Sequence, residues 1–100
     1  TALAALPRPA SDIGPPASWA EVEPIIKARC QSCHATKPTQ EGFVAPPKGV
    51  VFDTREEVRA RAAMINQQVW VTRVMPPGNL THITDDERRT IARWIKGGAQ

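Results

Sequence analysis

Both cysteines of the chain lie in one pentapeptide, Cys30-Gln31-Ser32-Cys33-His34. Two cysteines separated by two residues, with a histidine directly after the second, is the spacing of covalent c-type haem attachment. In such a site both sulfurs bond the porphyrin and the imidazole binds the iron. The motif therefore predicts one haem, bonded through Cys30 and Cys33 and ligated by His34, around which 100 residues must fold.

Two other kinds of site use the same cysteine spacing. A structural zinc site needs four ligands, and the chain has only His82 to add to the motif. A redox-active dithiol of the thioredoxin type belongs to a βαβ context, for which the sequence offers no pair of strands. Both alternatives are therefore weaker than haem attachment.

Length and composition set the bounds of the prediction. One hundred residues make a single domain with a small core, so a haem would form a real part of that core. No apolar run approaches the roughly 20 residues that span a bilayer, and we expect a soluble chain. The net charge of +3 comes from basic residues spread from Arg8 to Lys96, which argues against a nucleic-acid partner. The first residues lack the pattern of a signal peptide, so we expect a removed leader or a piece of a larger protein.

Proline, glycine and capping residues divide the chain into elements. The prolines and Gly14 within residues 1–17 favour extended chain, which we interpret as a linker or tail before a domain at 18–100. Ser, Thr and Glu at capping-box spacing predict three helix starts. These boxes are Ser18 with Glu21, Thr54 with Glu57, and Thr84 with Glu87.

The rest of the pattern completes an all-α fold of three to four helices around one covalent haem. The first helix leads into Cys30, and Pro24 predicts that it starts near Glu21 or bends. Residues 35–51 are rich in proline and glycine and should form a loop packed on the cofactor. The second helix should break or change register near Asn66, and a further short helix should end at Met75, which precedes a proline.

The second axial ligand of the iron is predicted to be Met75. A methionine opposite the histidine raises the reduction potential of haem iron, and Met75 lies in a proline-bounded loop that could direct its side chain across the porphyrin. Met64 falls within a helix, where we expect it to fill core space. His82 is the remaining alternative, and we expect a solvated loop histidine there.

Other residues are predicted to surround the haem. A ligating imidazole usually donates its second N–H to a carbonyl, and we expect Pro46 or Pro47 to supply it. The apolar loop residues should face the porphyrin; they are Phe43, Val44, Val50, Val51 and Phe52. Three further candidates for the methionine or the propionates are Trp70, Arg73 and Asn79, whose alternative roles are core packing, a solvated charge and turn formation.

With these residues assembled, the chain resembles the class I cytochrome c family over about residues 18–98. The resemblance rests on the Cys30–His34 motif, on Met75 followed by proline, and on a last helix that carries Trp94. It implies that the first and last helices cross and pack together. Val22 and Ile26 would then contact Ile91, Trp94 and Ile95.

A narrower set of motifs is similar to the C-terminal cytochrome c domain of bacterial membrane-bound urate hydroxylases. These motifs are Trp19 to Ile26, Gly49 to Asp53, Met75 to Arg88, and Trp94 to Ala99. The resemblance implies one-electron transfer by a domain that is not itself catalytic and, as an isolated piece, is monomeric. The domain would accept electrons from a urate-oxidising membrane domain of the same polypeptide and pass them to a soluble cytochrome or terminal oxidase.

The same resemblance implies a periplasmic location, tethered to the inner membrane through the parent protein. Two alternatives remain open at this point. A free diffusible periplasmic cytochrome c would share the site, whereas a haem enzyme or gas sensor would need an exchangeable sixth ligand.

Overall fold

The computed structural model describes residues 13–100, so residues 1–12 of the expected linker lie outside the described part. The described residues form helices and no strands, and the predicted all-α class is confirmed. The α-helices are α1 (Trp19–Arg29), α2 (Arg55–Ala60), α3 (Ala62–Ile65) and α4 (Asp85–Lys96). A π-helical segment, Asn66–Val71, continues α3, and 3₁₀ turns occupy Pro47–Gly49 and Pro77–Asn79.

All three predicted capping boxes form. In each, the hydroxyl of the N-cap residue accepts from the backbone N–H three residues later, and the glutamate there accepts from the N-cap backbone. The boxes satisfy backbone donors that the first turn leaves unpaired. Helix α1 begins at Trp19 rather than near Glu21, and it continues through Pro24 at the loss of one internal hydrogen bond.

The middle of the chain contains one predicted and one unpredicted interruption. The change of register expected near Asn66 is confirmed, because hydrogen bonding switches there to π spacing and the Thr72 N–H donates to the Gln67 carbonyl at 2.9 Å. An earlier break separates α2 from α3 at Arg61, whose φ of −114° and ψ of 20° leave the helical region. No proline or glycine marks that position in the sequence.

Helices α1 and α4 pack on each other at the centre of the apolar core, to which the other elements also contribute. Val22, Ile26, Ile91 and Trp94 are all at most 1% exposed, as expected for a crossing of the first and last helices. The Trp94 ring lies 5.3 Å from that of Trp19, centroid to centroid. Helix α4 also contacts the π-helical segment, so it joins the motif-bearing helix to the chain that precedes Met75.

The described end of the expected tail lies against α4. The Pro15 carbonyl accepts a hydrogen bond from Arg93 at 3.1 Å, and Ala17 is buried. No helix within residues 13–100 has the length and apolarity needed to cross a membrane.

Candidate haem site

An apolar cavity of about 300 Å³ lies between the end of α1, the loop that follows it and residues 64–81. Eight of the residues predicted from the sequence line it: Cys30, Cys33, His34, Phe43, Pro47, Val50, Phe52 and Met75. An apolar lining with a few polar groups is typical of cofactor sites. The fold therefore gathers the attachment motif and the predicted methionine on one cavity.

His34 is oriented by the loop that passes behind it. Its Nδ1 lies 3.0 Å from the Val50 carbonyl oxygen, which can only accept, so Nδ1 carries the proton and Nε2 is the nitrogen available to iron. The prediction that Pro46 or Pro47 supplies this carbonyl is wrong. The 3₁₀ turn at Pro47–Gly49 follows Pro46 and directly precedes Val50, and the Val50 carbonyl is the one beside the imidazole.

Residues 50–53 and 31–36 are joined by further hydrogen bonds. The Phe52 N–H donates to the His34 carbonyl at 2.7 Å, and the Gln31 amide donates to the Phe52 carbonyl at the same distance. The Asp53 carboxylate accepts from the Thr36 hydroxyl at 2.6 Å. The Phe52 ring lies 5.2 Å from the imidazole, centroid to centroid. These contacts fix the position and the plane of His34.

Both backbone groups of Met75, the N–H and the carbonyl, are hydrogen-bonded. Its N–H donates to the Gln68 carbonyl at 3.0 Å, and its carbonyl accepts from Arg88 Nη1 at 2.8 Å. The same Nη1 donates to the Val69 carbonyl at 2.7 Å. The methionine backbone is therefore attached to both the π-helical segment and α4.

A second arginine joins the attachment helix to the methionine side. Arg29, the last residue of α1, donates to the Thr81 carbonyl and to Glu87 at 3.1 Å. The Thr81 hydroxyl returns a hydrogen bond to the Arg29 carbonyl at 2.7 Å. This reciprocal contact closes the cavity wall directly before Cys30.

The Cys30 thiol lies in an environment that disfavours its charged form. Burial, with a smaller contribution from Cys33, raises the pKa of the Cys30 thiol to about 12. A redox-active dithiol requires the opposite shift, toward the thiolate. An uncharged cysteine beside an apolar cavity instead suits a side chain that ends as a thioether, so the residues fit a covalently attached haem.

Several of the predicted haem contacts are absent from the cavity lining. Val44 is fully exposed, and Val51 and Pro46 do not line the cavity, because the loop turns these side chains away while Val50 and Phe52 point inward. Asn79 forms a local turn with Ile83 instead, donating to its carbonyl at 3.2 Å and accepting from its N–H at 2.8 Å.

Trp70 and Arg73 also lie outside the lining, and they contact each other. The Arg73 guanidinium is 4.8 Å from the centroid of the Trp70 ring and donates to Asp85 at 3.2 Å. Their contact with propionates stays a prediction. His82 is exposed, which agrees with the solvated alternative.

Met64 departs from its predicted place in the core. It is 48% exposed and lines the cavity, because α3 is only one turn long and presents this side chain to the opening. Both methionines of the chain therefore border the site, and Met75 is the one whose backbone is anchored on both sides.

The sequence-based prediction missed Arg29 and Arg88. A signal for Arg88 was available, since it precedes Ile91, Ala92 and Ile95 at helical spacing and so lies on the apolar stripe of α4. An arginine in that register indicates a buried partner. Arg29 carried no such signal, because its partners are more than 50 residues away.

Comparison with known proteins gives one family match. The model of the family described as cytochrome c oxidase, cbb3-type, subunit III matches residues 17–95. No curated protein and no solved structure gives a significant match. The matched stretch includes the attachment motif, the whole cavity lining and nearly all of α4.

Proposed function

The chain belongs to the family of cytochrome c oxidase, cbb3-type, subunit III, and from that premise we propose that His34 and Met75 together close the coordination of its haem iron. A cytochrome c domain has the all-α class I fold, binds one haem c covalently and is an electron-transfer module rather than an enzyme in itself. When bound, the haem supplies iron that exchanges one electron between the ferric and ferrous states.

The observation that carries this proposal is the shared cavity of His34 and Met75. The imidazole offers Nε2 because Val50 occupies Nδ1, and the thioether belongs to a residue whose N–H and carbonyl are both bonded. Two protein ligands leave no position on the iron for a substrate. Their fixed backbones favour a site that rearranges little when its charge changes, as electron transfer requires.

Replacing each of the two methionines tests the ligand assignment. We expect Met75→Ala to abolish the weak long-wavelength absorption of methionine-ligated ferric haem and to lower the reduction potential, since a thioether favours the ferrous form. Met64→Ala is the matched control, because Met64 lines the same cavity and should keep both properties. Loss of the band in Met64→Ala, with retention in Met75→Ala, would reverse the assignment.

Binding of external ligands separates electron transfer from the enzyme and sensor alternative. A closed site should bind carbon monoxide or cyanide poorly at neutral pH, because Met75 must first leave the iron. Rapid, tight binding to the unaltered protein would indicate an exchangeable position and would favour a gas sensor or a haem enzyme.

We further propose that the electron donor is a urate-oxidising membrane domain of the same polypeptide. The support is the resemblance of two stretches, Trp19 to Ile26 and Met75 to Arg88, to the cytochrome c domain of urate hydroxylases. The acceptor would be a soluble cytochrome or a terminal oxidase, and the domain would lie in the periplasm, where c-type haem is attached. A diffusible cytochrome is the alternative arrangement.

Membranes that contain the full-length protein test this donor. Addition of urate without oxygen should produce the ferrous absorption bands, and allantoin should not. The Cys30→Ala/Cys33→Ala double variant serves as the control without covalently attached haem. Absence of urate-dependent reduction in membranes that dithionite reduces fully would exclude urate as the donor.

A second candidate parent follows from the matched family, which is that of a subunit of cbb3-type oxidases. In that setting the domain would deliver electrons to the oxidase. Purification of the full-length protein from detergent-solubilised membranes distinguishes the two parents, since only the oxidase assembly would consume oxygen with a reduced cytochrome as donor.

A further inference from the structure

Arg88 is a buried charge on the helix that faces the methionine side of the cavity. It is 6% exposed, and it is the one charged residue buried within residues 13–100. Burying a guanidinium is costly unless its N–H groups are hydrogen-bonded. Its neighbours on the same stripe of α4, Ile91 and Ala92, are apolar, so packing alone does not account for an arginine here.

The partners of Arg88 are two main-chain carbonyls on the path to the proposed ligand. Nη1 donates to Val69, in the π-helical segment, at 2.7 Å and to Met75 at 2.8 Å. The Met75 N–H in turn donates to Gln68, one residue before Val69. A single nitrogen thus joins the two ends of the segment 69–75 and attaches both to α4.

The other contacts of that segment to neighbouring elements lie at the surface, where Thr72 donates to the Gln67 carbonyl at 2.9 Å and Arg73 donates to Asp85 of α4 at 3.2 Å. Val71, Thr72, Arg73 and Val74 are all exposed, and the chain is irregular between the π-helical segment and the 3₁₀ turn at Pro77. An irregular exposed segment samples many conformations, and each one that moves Met75 away from the iron weakens its binding. A rigid link from α4 removes those conformations.

We propose that Arg88 is a positioning residue for Met75, which sets how firmly the thioether stays on the iron by fixing the Met75 carbonyl. The inference rests on the proposed function, in which Met75 is the sixth ligand. The proposed role of Arg88 is to retain Met75 on the iron. A contribution of Arg88 to protein stability alone would not amount to that role.

Competition by imidazole measures ligand retention directly. Imidazole binds ferric haem only when Met75 has left, so its apparent dissociation constant falls as the methionine is held less firmly. We expect Arg88→Met, which keeps a long apolar stem without charge or donors, to bind imidazole about ten times more tightly than the unaltered protein. Arg88→Lys keeps the charge but loses the planar fork, and it should give an intermediate value.

Arg93→Met is the matched control. Arg93 lies on the same helix and donates to a main-chain carbonyl, that of Pro15, and its hydrogen bonds go to Pro15 and Thr90 rather than to the segment 69–75. We expect its imidazole affinity to equal that of the unaltered protein. Denaturant unfolding of every variant reports stability separately, and Arg88→Lys remains informative if Arg88→Met does not fold.

The outcomes separate this inference from the proposed function. If Met75→Ala binds imidazole tightly while both Arg88 variants match the unaltered protein, the positioning role is wrong and the ligand assignment stands. If Met75→Ala has no effect on imidazole affinity, the ligand assignment itself is wrong. Loss of stability in the Arg88 variants with unchanged imidazole affinity would show a structural role only, and it would also overturn the proposal.

Discussion

The His34 side of the cavity is held mainly by hydrogen bonds between two neighbouring loop segments, whereas the Met75 side is held by arginine side chains from two helices. On the first side, residues 31–36 and 50–53 bond to each other through backbone groups and short polar side chains. On the second, Arg29 and Arg88 reach across more than ten residues of sequence to carbonyls.

The difference follows from how each proposed ligand is tied to the haem. His34 directly follows Cys33, so the predicted thioether bonds would keep its main chain beside the porphyrin. Met75 has no covalent link and depends on the protein to stay close. Loop contacts are therefore sufficient to position His34, whereas Met75 needs hydrogen bonds from packed helices.

Removing the thioethers is expected to have the largest effect on haem retention, because covalent attachment is what distinguishes the His34 side from the Met75 side. In Cys30→Ala/Cys33→Ala all haem should become extractable by acid acetone, whereas the unaltered protein should release none. Each single variant should retain its haem through the remaining bond. Complete extraction from the unaltered protein would disprove thioether attachment.

Phe52→Ala tests a large apolar contact of the His34 side. Phe52 is 7% exposed and packs on the imidazole, so its truncation should lower the free energy of unfolding by about 3 kcal/mol, measured by denaturant titration. Val44→Ala, in the same loop and fully exposed, should change that free energy by less than about 0.5 kcal/mol. Equal effects in the two variants would mean that Phe52 is not packed as described.

A pair of substitutions compares the two sides directly. Arg29→Met removes charge-assisted hydrogen bonds to Thr81 and Glu87 and should lower the free energy of unfolding by about 2 kcal/mol. Gln31→Ala removes one neutral bond to Phe52 and should cost about 1 kcal/mol. A larger loss in Gln31→Ala would contradict the proposed contrast between the two sides.

The smallest expected effect is the pH dependence of the Arg29–Glu87 pair. Burial opposes ionisation of Glu87, but hydrogen bonds from the Thr84 backbone and from Arg29 outweigh it and hold the pKa of Glu87 below its usual 4.5. Because the folded-state pKa of Glu87 is lowered, its contribution to stability is fully present above the usual pKa of 4.5 and is lost as the pH falls through the folded-state pKa.

Glu87→Gln should therefore reduce the acid-dependent part of stability, by less than about 1 kcal/mol because the pair is only partly buried. The measurement is the free energy of unfolding between neutral pH and pH values below 4.5. A variant whose pH profile below that value coincides with that of the unaltered protein would show that Glu87 contributes nothing to it.

Much of the fold was predictable because its signals are local. Capping boxes at Ser18, Thr54 and Thr84 mark helix starts through contacts three residues apart, and the α4 stripe marks a buried face at helical spacing. The break at Arg61 was not predictable, since its sequence contains no helix-breaking residue. At the start of α1 two local signals disagreed, and the capping box at Ser18 outweighed Pro24, so the helix begins at Trp19.

The candidate site divides in the same way. The motif Cys30–His34 determined by itself that a haem is attached, because the chemistry of two thioethers and an adjacent imidazole depends only on local spacing. The proline-bounded loop around Met75 made that methionine the natural candidate for the second ligand.

Only the tertiary structure decided which groups support the two proposed ligands. The Val50 carbonyl, not that of Pro46 or Pro47, bonds to the imidazole, because the 3₁₀ turn at Pro47–Gly49 places Val50 beside it. The Arg88 side chain bonds to the Met75 carbonyl because α4 packs against the π-helical segment. Contacts of this kind join residues distant in sequence. They depend on the relative placement of packed elements, which local patterns do not encode.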